Sequence, residues 1–197
     1  MSKGERTKAT ILKAAVQTAC LSGFDGLNLQ PLADQVRMTK SGLYAHFGSK
    51  EALQLATLEA GIELFQLHVA APAKHEPVGL PRLRGLFRRW LDWPQNAGLA
   101  GQCLFISASF ELDDQPGPLH DRLQKTFKDF VEILTQLAHS AHRHGHLAYG
   151  TDIDRLIQAL MSLRFGHQWQ KGLMENQSAK DQTMQLFEYW VRHPPTR

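Results

Sequence analysis

Apolar residues recur at helical spacing along most of the chain, interrupted by glycine, proline and capping residues. The pattern predicts helices over residues 11–22, 28–36, 39–47, 49–71, 83–91, 119–145, 151–172 and 178–193. Residues 96–112 are apolar and contain glycine, which predicts a short helix followed by a longer one. Because no stretch alternates between apolar and polar residues as a β-strand does, the predicted fold class is all-α.

The stretch from Asn28 to Phe47 joins two short helical patterns at a tight corner. Asn28 can cap the first helix and Thr39 the second, in which Leu43 and Phe47 share the inward face. The outward face carries small, hydroxylated, cationic and aromatic side chains, namely Lys40, Ser41, Gly42 and Tyr44. Small residues allow close approach to a DNA groove while the others reach bases and phosphates, so the stretch predicts a helix-turn-helix.

The run LADQVRMTKSGLYAHFGSKEAL, residues 32–53, resembles the signature of the TetR family of bacterial transcriptional regulators. The similarity extends from about Arg6 to Ala56. It implies an all-α chain whose N-terminal domain, residues 1–50, is a three-helix helix-turn-helix unit that binds DNA. It also implies a helical-bundle domain over residues 51–197 that binds an effector and forms a homodimer, with helices 151–172 and 178–193 pairing with those of the partner.

Nine residues of the helix-turn-helix and its flanks are candidates for DNA contact: Asn28, Arg37, Thr39, Lys40, Ser41, Gly42, Tyr44, His46 and Lys50. We expect Lys40 and Ser41 to reach base edges, because the N-terminal residues of the reading helix do so in this motif. Tyr44, Lys50 and Asn28 are expected at phosphates.

Arg37 stands in the turn where the resembled family usually has glycine. A left-handed backbone there would cost a residue with a side chain roughly 1 kcal/mol. Either the corner is adjusted or Arg37 adds a phosphate contact.

The basic residues of the chain are concentrated at its N-terminal end. Residues 1–50 contain seven Lys and Arg against three Asp and Glu, a balance of +4, whereas the whole chain carries only +3. Three of these cations fall in residues 1–10, which we interpret as a polar arm that is either a solvated tail or a phosphate contact. The excess charge therefore coincides with the helix-turn-helix.

No run of the sequence is long and apolar enough to span a membrane, and its N-terminus is polar, so we expect a cytoplasmic protein. Cys20 and Cys103 lack any paired-motif spacing and are expected to be buried thiols. The chain contains no phosphate loop, nucleophile elbow or His-Glu-x-x-His motif, so we expect neither an enzyme nor a cofactor.

Four histidines, His139, His142, His144 and His146, lie near the end of one predicted helix. The first two have a spacing that suits a metal ion. Carboxylates and thiols are absent nearby, and histidines at a helix C-terminus interact favourably with its dipole, so we expect no metal.

Aromatic and sulfur-containing residues are dense after residue 60; each alone is most simply a core residue, but together they can line a cavity between helices. The candidates for effector contact are Phe65, Trp90, Phe105, Phe110, Glu111, Phe127, Met161, Phe165 and Trp169. Gln102-Cys103-Leu104 with Glu111 is similar to a stretch in one branch of the family, although that branch has glycine at position 102, and the glutamate can equally be structural. Apolar side chains beyond the needs of one bundle predict the dimer face: Leu156, Leu160, Leu163, Phe187, Trp190 and Val191.

The sequence thus predicts a dimeric repressor that binds palindromic operator DNA and is released by a small apolar or amphipathic effector. An activator, or a DNA-binding protein without a ligand, remains the nearest alternative. A more distant one is an α-helical enzyme with an incidental helix-turn-helix. The missing catalytic motifs and the charge confined to residues 1–50 argue against the enzyme.

Overall fold

The computed structural model describes residues 2–196, and these residues are largely helical. The helices of the first half are α1 (Lys3–Ser22), α2 (Leu29–Gln35), α3 (Lys40–Phe47), α4 (Lys50–Phe65), α5 (Ala71–Ala73), α6 (Leu80–Leu91) and α7 (Trp93–Asn96). The second half contains α8 (Leu104–Glu111), α9 (Pro118–Arg143), α10 (Ile153–Gly172) and α11 (Ala179–Arg192). Over residues 2–196 the extended pairing is limited to one bridge between Thr151 and Thr196, so the predicted all-α class is confirmed.

The chain forms two compact units, of which the first comprises residues 2–65 and Ala97–Lys125. Its N-terminal part has a closed apolar core that α1, α2, α3 and the start of α4 build together. The buried members of this core are Ile11, Ala15, Leu27, Leu32, Ala33, Leu43 and Leu53. Because each of the four helices contributes to it, the short helices α2 and α3 are held in place by packing rather than by their own propensity.

Helix α1 begins at Lys3, so the expected polar arm over residues 1–10 is wrong within the described residues. Ser2 Oγ accepts from the backbone N–H of Glu5, and the Glu5 carboxylate accepts from the N–H of Ser2. This reciprocal capping box satisfies two amides that would otherwise be exposed at the helix start. The basic residues of the segment therefore stand on a helix.

The helix predicted over residues 49–71 is not uniform. α4 ends at Phe65, and a π-helical turn follows over Gln66–Ala70 before α5. Pro72 has no amide to offer the carbonyl four residues back, which removes one regular helical bond just after this turn. The division between the two compact units falls at the same place, between Phe65 and Gln66.

The two helices expected over residues 96–112 are one helix, α8. The chain before it is irregular because Gly98 and Gly101 adopt positive φ angles of 69° and 94°. A Cβ atom on Gly101 would lie 2.1 Å from the carbonyl oxygen of Cys20, so the backbone approaches α1 as closely as glycine permits.

The second unit comprises Gln66–Asn96 and residues 126–196 and has its own core. α10 and α11 form an antiparallel pair packed on α6, where the rings of Phe87 and Phe187 stack at 4.9 Å. The Asp92 carboxylate at the end of α6 accepts from Lys171 Nζ and Lys180 Nζ, each at 2.6 Å. Burial opposes ionisation of this carboxyl, but the two lysines outweigh it and lower the pKa of Asp92. An ionic link therefore joins α6 to both helices of the pair.

Cys20 and Cys103 are buried thiols, as predicted. Burial, assisted by the neighbouring Cys103, raises the pKa of the Cys20 thiol to about 12. A thiol with such a pKa is a poor nucleophile at neutral pH. No helix among residues 2–196 combines the length and the apolar character that crossing a membrane requires.

Candidate DNA-binding and effector sites

Helix α2 enters the helix-turn-helix at Asn28. Asn28 occupies the N-cap position in extended conformation, but its side chain makes no capping hydrogen bond, so that part of the prediction is wrong. The exposed Asn28 side chain is consequently not committed to the α2 amides. Leu32 and Ala33 of this helix are buried, as its predicted apolar face requires.

The corner between α2 and α3 keeps the left-handed conformation that the resembled family builds with glycine. Arg37 has φ = 56°. The N–H of Arg37 donates to the carbonyl of Asp34 at 3.1 Å, and the N–H of Met38 donates to the carbonyl of Ala33 at 2.9 Å. These two bonds form a Schellman motif, which satisfies the last carbonyls of α2. The corner is therefore not adjusted to suit the arginine, and Arg37 carries the strain.

Helix α3 presents the predicted outward face. Thr39 Oγ1 accepts from the N–H of Gly42 at 3.0 Å, which confirms Thr39 as the cap. Leu43 is completely buried and fixes the rotation of the helix about its axis. Lys40, Ser41 and Tyr44 are exposed as a result, while Gly42 is half-buried.

The C-terminal end of α3 meets α1. His46 is half-buried, and its ring lies 6.4 Å from that of Phe47. Lys8 of α1 extends over the Phe47 ring with its Nζ 5.6 Å from the centroid, a cation–π arrangement. Lys8 belongs to the segment that we predicted as a polar arm, and the sequence alone did not connect it with α3. The i, i+4 spacing of apolar residues that begins at Ile11 could not reveal this contact, because Lys8 precedes it.

Helix α4 begins directly beside the end of α3. Ser49 Oγ accepts from the N–H of Ala52 at 3.0 Å and so caps α4. Lys50, the first residue of α4, is exposed. A lysine together with the first amides of a helix is a suitable environment for a phosphate.

The nine predicted DNA-contact residues all belong to this segment of the first unit. Seven have exposed side chains: Asn28, Arg37, Thr39, Lys40, Ser41, Tyr44 and Lys50. Gly42 and His46 are half-buried. The segment presents cationic, hydroxyl and aromatic groups on its outer surface and packs against a closed apolar core on its inner side. Such groups on a rigid support are suited to DNA recognition.

The nine candidates for effector contact divide between the two units. In the second unit, Arg164 lies with its guanidinium 5.5 Å from the Trp90 ring, and that ring meets Phe130 edge-on at 4.5 Å. Phe127 and Phe165 lie 6.3 Å apart, and both are half-buried, as is Met161. This unit thus contains a buried cation against Trp90 and a second aromatic pair, Phe127 and Phe165.

The candidates of the first unit have different environments. Phe65 and Phe105 pack edge-to-face at 5.8 Å. Phe110 is 67% exposed, which does not suit the wall of an interior cavity. The Glu111 carboxylate accepts two backbone hydrogen bonds, from Phe24 at 2.7 Å and from Asp25 at 3.0 Å.

Trp169, the remaining candidate, is 51% exposed and lines a groove of about 650 Å³ along α10 and α11. Five large apolar side chains are exposed on or beside these helices: Trp169, Leu173, Met174, Leu186 and Tyr189. Four of the residues predicted for the dimer face, Leu156, Leu160, Phe187 and Val191, are instead buried within the subunit. Helical spacing shows which residues share a face but not what covers that face, so it did not reveal their burial.

His167 lies beneath this groove at the junction of α10 with α6. Its Nε2 donates to the carbonyl of Leu91 at 3.2 Å. Burial, and secondarily the charge of Arg164, lower the pKa of His167 to about 4. The imidazole is therefore neutral at physiological pH.

Two of the four histidines near the end of α9, His144 and His146, contact the backbone through their rings. His146 Nδ1 accepts from the N–H of Leu80 at 3.1 Å, and His144 Nδ1 lies 2.8 Å from the carbonyl of Ser140. The rings of His144 and His146 stack at 5.9 Å. In the portion of the chain that the structure describes, no three His, Cys, Asp or Glu residues are grouped to hold a metal ion.

Comparison with known proteins bears on both units. Residues 11–57 match a family model described as bacterial regulatory proteins, tetR family, and residues 79–187 match one described as tetracyclin repressor-like, C-terminal domain. The regulator SrpR of Pseudomonas putida is 23% identical over 98% of this chain and 89% of its own length.

Two solved structures share the fold. A TetR transcriptional regulator from Chloroflexus aurantiacus superposes with a TM-score of 0.87 at 20% identity, covering 97% of this chain and 96% of that one. AibR in complex with isovaleryl coenzyme A and operator DNA gives 0.72 at 21% identity, covering 96% and 100%.

Proposed function

Because the chain belongs to the TetR family of bacterial transcriptional regulators, we propose that it is a ligand-responsive repressor that binds a palindromic operator as a homodimer. The observation that carries the proposal is the outer face of α3, where the exposed Lys40, Ser41 and Tyr44 surround the small Gly42 above a buried Leu43. A face of that kind on a rigid core fits a major groove.

In this proposal α3 is the reading helix. Lys40 and Ser41, at its N-terminal end, contact base edges, and Gly42 permits close approach of the backbone. Tyr44, Lys50 and Asn28 contact phosphates, and the exposed Arg37 adds a further cation at the corner. Phosphate contacts set the position of the helix, while base contacts supply sequence preference.

The dimer is proposed to form through α10 and α11. Their exposed apolar side chains border a groove lined by Leu163, Leu186 and Trp190 among others. A groove bordered by several exposed apolar side chains is typical of an association site. A two-fold pair through these helices gives each dimer two reading helices and hence a preference for a palindrome.

The effector is proposed to be apolar or amphipathic. The second unit offers Trp90, Phe127, Met161 and Phe165 as apolar walls, with Arg164 and His167 as orienting polar groups. A multiply charged ligand would lose hydration there without a matching cluster of charges. AibR, a protein of the same fold, is known in complex with isovaleryl coenzyme A and operator DNA, so this fold accommodates a small ligand as well as DNA.

Release requires the effector to favour a conformation that does not bind the operator. We propose that it changes the tilt of α4, which carries Lys50 at its start and continues through the π-helical turn into the second unit. The separation of the two reading helices would then no longer match the two half-sites.

A binding experiment distinguishes the proposed repressor from an activator and from a regulator without a ligand. A duplex selected by the protein from a random pool is used in a mobility-shift titration across a panel of acyl, aromatic and polar metabolites. A ligand-responsive repressor releases the duplex with one chemical class, whereas persistence of the complex with every class contradicts ligand-induced release. A transcription assay on the same duplex distinguishes repression from activation.

A further inference from the structure

Three attachments join the C-terminal half of α1 and the turn after it to residues 100–111, all within the first compact unit. The Gln17 side chain exchanges two hydrogen bonds with the backbone of Ala100, each at 3.1 Å. The N–H of Gln102 donates to the carbonyl of Cys20 at 2.7 Å. At the far end, Glu111 Oε2 accepts from the amides of Phe24 and Asp25.

The attachment at Glu111 is the most specific of the three, because the surrounding chain is shaped to it. Gly23 ends α1 with φ = 72°, and a Cβ there would lie 1.8 Å from Glu111 Oε1. Any other residue at position 23 would displace the carboxylate. The opposite side of the turn is also fixed, since Gln54 Nε2 of α4 donates to the carbonyl of Phe24 at 3.1 Å.

This turn connects α1 to α2, and its position determines the positions of α2 and α3. Leu27, which follows Phe24 and Asp25, is completely buried in the core shared with α2 and α3. The carboxylate therefore acts on the reading helix through packed residues and itself needs no contact with DNA. A charge-assisted bond of a carboxylate to backbone amides is about twice as strong as a neutral one.

We propose that Glu111 is a positioning residue for DNA recognition. On the basis of the proposed function, the Glu111 carboxylate fixes the orientation of the helix-turn-helix on α8. Each reading helix is then preset in one orientation on α8 before it meets DNA. Fixing a binding element in its bound orientation increases affinity, because less freedom is lost when the complex forms.

The experiment compares wild-type protein with Glu111→Ala, Glu111→Gln and Glu63→Ala. Glu63 is an exposed glutamate of α4 and serves as the matched control for loss of one negative charge. The glutamine variant keeps an oxygen that can accept both amides. Each protein is titrated against the palindromic duplex that the wild type selects, against duplexes with one base pair added or removed at its centre, and against a scrambled duplex.

We expect Glu111→Ala to bind the selected duplex roughly 2- to 30-fold more weakly, the range over which residues outside a binding site alter coupling. Its discrimination against altered spacing should fall, because a loosened helix-turn-helix adapts to the changed separation. Binding to the scrambled duplex should be unchanged. Glu111→Gln should retain most of the spacing preference, and Glu63→Ala should equal the wild type.

Amide exchange verifies that the substitution acts at the proposed contact. The amides of Phe24 and Asp25 should exchange faster in Glu111→Ala, while amides in the middle of α1 keep their protection. Equal affinity and equal spacing preference of wild type and Glu111→Ala would overturn this inference and leave the proposed function intact. Parallel loss of protection throughout α1 would also overturn it, since Glu111 would then only support folding. A wild-type protein that selects no duplex would overturn the proposed function and this inference together.

Discussion

The backbone N–H of Met38 donates to the carbonyl of Ala33 across 2.9 Å, and this bond closes the helix-turn-helix corner over an arginine in left-handed conformation. The corner geometry is set by the need to satisfy the carbonyls of α2 and to bring Thr39 to the start of α3. The side chain at position 37 adapts to that backbone. Strain retained at an exposed cation next to α3 is consistent with the proposed role of Arg37 in DNA contact.

Arg37→Gly should increase the free energy of unfolding by about 1 kcal/mol, because glycine adopts positive φ without steric cost. Arg37→Ala keeps the strain and removes the guanidinium, which makes it the matched control. Denaturant titration should separate the two variants in stability, while DNA titration should show the same loss of affinity in both. Equal stability of the glycine and alanine variants would contradict the strain at this corner.

The dimer face can be tested with Leu186→Glu. Leu186 is 49% exposed and lines the α10–α11 groove, so a carboxylate there would be buried without a partner when two subunits meet. Sedimentation of the wild type at micromolar concentration should give twice the protomer mass, and that of the variant the protomer mass. Leu67→Glu, at a residue 62% exposed in the π-helical turn, is the control and should remain dimeric. A wild-type monomer that binds a palindrome tightly would refute the proposed interface.

Stability should depend on pH through His167. The unfolded chain binds a proton near the ordinary histidine pKa of 6.5, whereas the folded pKa of His167 is about 4. The unfolded state therefore binds more protons between these values, and stability falls as pH decreases from about 6.5 towards 4. At pH 5 this group should have removed about 2 kcal/mol relative to pH 7.

His167→Gln provides the comparison for that pH dependence, since its amide can still donate to the Leu91 carbonyl but does not titrate. Denaturant unfolding from pH 7 to pH 5 should show a smaller loss of stability in the variant. Parallel curves for the two proteins would contradict a buried, neutral imidazole.

Effector binding should depend on the aromatic residues of the second unit. A ligand that binds the folded state raises its stability by about 2.7 kcal/mol at one hundred times its dissociation constant, which thermal shift or calorimetry detects. Phe165→Ala should weaken binding of an apolar or amphipathic ligand identified in this way. Phe110→Ala, at an exposed side chain of the first unit, should not. Exclusive binding of multiply charged metabolites would refute the proposed ligand class.

Local signals in the sequence were sufficient to predict α3, its cap and its buried face. Thr39 and Ser49 lie three residues before the amides they cap, and helical spacing alone places Leu43 on the inward face. Local signals could not predict the hydrogen bonds from Phe24 and Asp25 to Glu111, because these residues are 87 and 86 positions apart in the chain. The same limit applies to the proposed dimer face, where helical spacing could not distinguish the buried Leu160 from the exposed Trp169.

The central claim, that α3 reads DNA while the start of α4 anchors it, is tested most directly by titrating Lys40→Ala and Lys50→Ala against selected and scrambled duplexes at several salt concentrations. Lys50→Ala should weaken binding to both duplexes and reduce the salt slope by about 0.9 per lost phosphate contact, or about twice that per dimer. Lys40→Ala should mainly relax sequence preference, at a cost of about 1–3 kcal/mol per half-site. If Lys50→Ala lost sequence preference and Lys40→Ala lost only overall affinity, the two roles would be exchanged. Unchanged binding in both variants would contradict α3 as the reading helix.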